Sequence, residues 1–163
     1  MFPNRFTSLL AATTLWCIVS AAQAQVPQYG PSVNHEQARK AIAAAIADAR
    51  KQSLPMAVAV VDTAGQLVAF ERMDGTQTGS VAVSQDKAVS AALYRRSTKV
   101  FQDALAGGGA GLRILTLRGA NAVEGGLPIV VDGKIIGAIG VSGGSAEQDG
   151  VVAKAGLDGL AAK

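Results

Sequence analysis

Apolar positions along this chain switch between two spacings. In HEQARKAIAAAIADARKQ, Ala38, Ala41, Ile42, Ala45, Ile46 and Ala49 recur every three or four residues while charges take the other face. That spacing predicts an amphipathic helix. Ser32 or Asn34 is placed to cap it, with Glu36 in the first turn. LPMAVAVVD is apolar without alternation over the length of a strand, the pattern of a central strand buried on both faces. Across the turn Asp62-Thr63-Ala64-Gly65 comes QLVAFERMD, and the two predict a hairpin.

SVAVSQDKAVSAALYRRSTKVFQDALA returns to helical spacing, with a break expected near Ser97 and Thr98. GGGAG at 107–111 interrupts it, and LRILTL reads as a short strand. LPIVVD and KIIGAIGVS flank Asp132-Gly133, a strong signal for a type I′ hairpin. Ser145-Ala146-Glu147-Gln148 is a capping box that opens a final helix running to about the C-terminus. Hairpins stand where a doubly wound fold would need crossovers. The order therefore predicts an α+β fold, an antiparallel sheet of about five strands flanked by helices.

Composition changes the picture mainly at the N-terminus. Arg5, the apolar run from Leu9 to Val19 and Ala22-Gln23-Ala24 have the layout of a secretory signal peptide cut after Ala24. Residues 25–163 then form a single domain, expected in the periplasm or outside the cell. No second apolar run approaches the roughly 20 residues that a membrane span needs. Cys17 and Trp16 fall within the leader, so the exported chain carries neither a thiol nor an indole. A formal net charge of +3 and an aromatic content of 4% give no footing for nucleic-acid binding.

Several motifs raise chemistry that the rest of the chain does not supply. Gly140-Val141-Ser142-Gly143-Gly144 matches the G-x-S-x-G nucleophile elbow. Such a serine needs a base within hydrogen-bond reach, in α/β-hydrolases a histidine that follows it in sequence, and the one histidine, His35, precedes it by more than a hundred residues. Neither Gly143-Gly144 nor Gly107 to Gly111 completes a phosphate-binding glycine motif. Histidine, cysteine and aspartate show no spacing suited to zinc or non-haem iron. Gly143 and Gly144 let the strand turn sharply into the last helix, and the free N–H groups of that helix start suit a ligand carboxylate.

PMAVAVVDTAGQLVAFERMDGTQTGS, DKAVSAALYRRST, EGGLPIVVDGKIIGAIGVSGG and QDGVVAKAGL, in this order, resemble the GlcG/HbpS family of haem-binding and haem-degrading proteins. The resemblance extends from Tyr29 to Leu160. It implies a profilin-like sandwich, homo-oligomeric assembly and, in at least some members, haem as cofactor, with haem breakdown in some.

Against that background His35 is a candidate axial ligand to haem iron, or a solvated residue of the first helical turn. Tyr94 is a second candidate ligand, equally suited to packing. Ser84, Lys87, Ala91, Tyr94 and Thr98 share a helical stripe whose small residues would admit a close neighbour. Lys87 with Arg95 or Arg96 would suit two propionates, or the arginines complement the helix C-terminus. Arg72 and Asp74 are either a plain turn pair or a buried ion pair orienting a ligand. Three functions stay open: an exported haem-binding or haem-degrading protein, a periplasmic enzyme or sensor for a small hydroxy or keto acid, and a scaffold without a small ligand whose apolar strands and alanine-rich helices serve oligomerisation. The second would use Arg72, Lys87, Arg95 and the turn Ser142, Gly143, Gly144 to receive the acid.

Overall fold

A computed structural model describes residues 26–162; the leader expected over residues 1–24 lies outside them. Four strands form one antiparallel sheet in the order β2-β1-β4-β3: β1 Ala57–Val61, β2 Leu67–Arg72, β3 Gly126–Val131 and β4 Lys134–Ser142. The two apolar runs without alternation, β1 and β4, are the central pair, and every residue of β1 is buried. Each hairpin closes as its turn chemistry demands. Asp62 Oδ1 accepts from the N–H groups of Ala64 and Gln66, both at 2.8 Å, and Gly65 supplies the positive φ of +80°. Asp132 and Gly133 have φ of +49° and +73°, the pair of left-handed residues that a type I′ turn requires.

Helices cover both faces. α1 (His35–Lys51) and α4 (Ala146–Ala161) pack together on one face, where Val58, Val60, Ile139 and Val141 join the alanine and isoleucine stripe of α1. α2 (Gly79–Tyr94) lies on the other, where Ala88, Ala91 and Ala92 meet Ala59, Val61 and Ala138. The small residues of the α2 stripe thus admit the sheet. A Cβ on Gly140 would overlap the Ser84 carbonyl oxygen and lie 2.5 Å from the Ala88 nitrogen. α1 and α4 both start with complete capping boxes, built by Asn34 with Gln37 and by Ser145 with Gln148. Before α1, Gly30 donates to the Ile135 carbonyl and Ile135 to that of Gln28, each at 2.8 Å, so the leading segment lies alongside β4.

The expected fifth strand is absent among the described residues. α2 ends with Arg95 in the left-handed region (φ +53°), Ser97 caps α3 (Thr98–Ala106), and LRILTL falls within and just beyond a 3₁₀ segment, Gly109–Thr116. Gly111, Ile114 and Leu117 are spaced by three, the period of a 3₁₀ helix, and this spacing prevails over the short strand that LRILTL predicts. Gly108 and Gly109 reverse the chain with positive φ, and Gly111 lies flush on α3, where a Cβ would overlap the Ala104 carbonyl.

Candidate functional site

Lys87, on the α2 stripe, points into the sheet. It is fully buried, and its ammonium donates to Asp149 Oδ2 at 2.6 Å and to the Val141 carbonyl at 3.1 Å. Asp149 stands in the first turn of α4, and its second oxygen accepts from the Gly144 N–H at 2.9 Å. Burial pushes the Asp149 carboxyl above its ordinary range, while the Lys87 ammonium and the Gly144 amide pull it back. Gly125 is required beside them: a Cβ there would lie 2.9 Å from Lys87 Nζ and 2.8 Å from Asp149 Cβ. The carboxylate received by Lys87 and the Gly144 turn is therefore the chain's own. Ser142 is buried with its hydroxyl 3.1 Å from that of Ser80, and Gly143 packs on Pro55 and Met56. The sequence pattern gave no notice of Asp149, which reaches Lys87 only through tertiary structure.

The other residues singled out in the sequence are dispersed. Arg72 and Asp74 are exposed beside a shallow depression of about 370 Å³ that Arg50, Glu71 and Met73 also line. They form no ion pair with each other among the described residues, so the buried-pair reading is corrected: both project from the end of an edge strand into solvent. Arg95, turned aside by its left-handed backbone, sits 5.6 Å from the centre of the Tyr29 ring and 3.5 Å from Gln28 Oε1. It thus faces the leading segment rather than the ammonium of Lys87. His35, the first residue of α1, is exposed and lines a depression of about 310 Å³ with Arg39, one turn on, Ile42, Ala43 and residues 69–71.

Tyr94 belongs to a larger cleft of about 600 Å³ between the end of α2, α3 and the 3₁₀ segment. Its ring meets Phe101 edge-on at 5.1 Å, and its hydroxyl donates to the Arg118 carbonyl at 2.7 Å. Val100, Ile114 and Leu117 complete an apolar wall, with Arg96 and Arg113 at its margins. Phe101, Arg96 and Arg113 as a group escape the sequence pattern, because the turn at Arg95 and the glycines at 107–111 bring them together.

The residues present fit haem at His35 in donor chemistry: an exposed imidazole for iron, and a guanidinium one helical turn away for a propionate. The depression, about 310 Å³, is at the low end of the roughly 300–1,000 Å³ typical of ligand pockets, too small to enclose a porphyrin.

Over residues 33–158 the chain matches the family model described as "Haem degrading protein HbpS-like". Protein GlcG of Escherichia coli K12 is 40% identical over 110 residues, 68% of this chain and 81% of GlcG. Among solved structures, Klebsiella pneumoniae ORFY superposes with a TM-score of 0.76 at 29% identity, covering 87% of this chain and 99% of ORFY. A PduOC–haem complex superposes with a TM-score of 0.71 at 26% identity, covering 78% of this chain and 94% of PduOC.

Proposed function

We propose that this chain, which belongs to the HbpS-like family, binds haem, and that His35 would hold its iron and Arg39 a propionate. The observation that carries the reading is the placement of the lone imidazole of the sequence, exposed at the start of α1 with a guanidinium one turn away on the same depression. The haem complex of a structural relative supports the choice of ligand. The depression is too small to enclose the ring, and a second copy of the chain would be the natural further cover, in keeping with the homo-oligomer that the family resemblance implies.

Bound haem would supply its own iron chemistry, and slow haem breakdown is the further activity that the family description suggests. The leader over residues 1–24 supports export to the periplasm or beyond. Titration of the chain lacking residues 1–24 with hemin tests the reading by absorbance. A saturable, stoichiometric Soret shift is expected, whereas a weak change that never saturates would overturn it.

A further inference from the structure

We propose that the cleft between α3 and the 3₁₀ segment is a second binding site, built for an amphipathic carboxylate. Its ligand has an apolar body that fills the cavity and one or two carboxylates that reach the arginines. The inference goes beyond haem at His35, because the cleft lies at the end of α2, across the sheet from α1.

Three observations converge on this ligand class. First, the cavity of about 600 Å³ has an aromatic wall. Four aromatic side chains follow residue 25, and two of them, Tyr94 and Phe101, line this cleft. Second, two cations border it without a protein anion. The ion pairs among the described residues are Lys87–Asp149, Lys99–Asp103 and Lys154–Asp158, so Arg96 and Arg113 enter none.

Third, the Arg96 guanidinium is already aimed. Its Nε donates to the Tyr94 carbonyl at 3.1 Å, and its centre lies 5.7 Å from that of the Phe101 ring. A guanidinium held by Nε and stacked on a ring keeps its terminal N–H groups for a planar oxyanion. Apolar surface beside a fixed cation suits a molecule with both characters, and a neutral hydrocarbon would leave the arginines unused. The organic acid anticipated at Lys87 and Gly144 has its better seat here, since those groups already hold Asp149.

Two ligand sources share this chemistry, a porphyrin dicarboxylate and a fatty acid. Metal-free protoporphyrin IX and dansylaminoundecanoic acid distinguish them by fluorescence titration, and neither needs an iron ligand. Each is titrated into the chain, into Arg96→Gln/Arg113→Gln, into Ala104→Trp and into His35→Ala. Ala104 is exposed on α3 and lines the cleft, so the tryptophan fills the cavity while keeping both charges.

At least one probe is expected to saturate a single site per chain. Its affinity should fall tenfold or more in the double arginine variant and in Ala104→Trp, and remain unchanged in His35→Ala. Failure of both probes to saturate would overturn the proposal. So would equal binding by the double arginine variant, or a loss confined to His35→Ala. The haem reading is judged separately by the hemin spectrum of His35→Ala, since neither probe carries iron.

Discussion

Lys87 Nζ and Asp149 Oδ2 stand 2.6 Å apart with both side chains buried, joining α2 to the first turn of α4 across the end of β4. The residues are 62 positions apart. The pair also fixes its surroundings: Asp149 holds the Gly144 N–H, and Lys87 presses against Gly125. The next residue, Gly126, donates to Thr98 Oγ1 at 2.9 Å at the start of α3. The strand-to-helix turn, the loop before β3 and the helix that walls the cleft therefore share one buried polar network.

Replacement of Lys87 by methionine removes the cation and leaves the Asp149 carboxyl buried alone. Breaking a buried pair from one side costs about 3–5 kcal/mol while the remaining group is charged. The acid's native pKa, already raised by burial, rises further without the ammonium. A raised native value means that the contribution is present below the unfolded pKa and is lost as pH rises through the native one. The deficit of Lys87→Met against the parent chain should therefore grow from pH 4 to pH 8. Adding Asp149→Asn should restore most of the loss at neutral pH. Urea unfolding at several pH values reads the parent chain and both variants.

Gly140→Ala tests the flush packing of α2 on the sheet. The new methyl would overlap the Ser84 carbonyl and crowd the Ala88 nitrogen, both backbone atoms that cannot move separately from the helix. A loss of about 3 kcal/mol, the upper part of the overpacking range, is expected by thermal or chemical unfolding. Retention of parental stability would show that α2 rests less tightly on β4.

Asn34→Ala and Ser145→Ala each remove the side-chain acceptor of a complete capping box. Each should cost about 1 kcal/mol. The two sites begin different helices and share no hydrogen bond, so the double variant should lose the sum within about 0.5 kcal/mol. Denaturant midpoints at constant m value provide the check.

β1 and β4 are legible in the sequence because strands covered on both faces have no polar side to alternate. The hairpin turns are legible because Asp62, Gly65, Asp132 and Gly133 act locally. LRILTL is not, since so short an apolar run fits a strand as well as a helical turn, and packing of Gly111 on α3 decides between them. The stripe through Ser84, Lys87 and Ala91 is visible as a close-packing face, but periodicity does not say whether a ligand or a sheet approaches it. Asp149 and the guanidiniums of Arg96 and Arg113 gain their roles from long-range approach or irregular turns, which leave no periodic trace. His35 is a different case: its chemistry comes from its being the single imidazole, and although three and seven residues separate it from Ala38 and Ile42 of the apolar stripe, it is exposed as the first residue of α1.

The most direct test of the account is the absorption spectrum of hemin bound to the chain beside that of His35→Ala, with and without added imidazole. The account predicts a saturating Soret band that weakens or shifts in the variant and returns toward the parent position with free imidazole. An identical spectrum in His35→Ala would contradict His35 as the iron ligand. Absence of a saturable band in the parent chain would contradict haem binding itself.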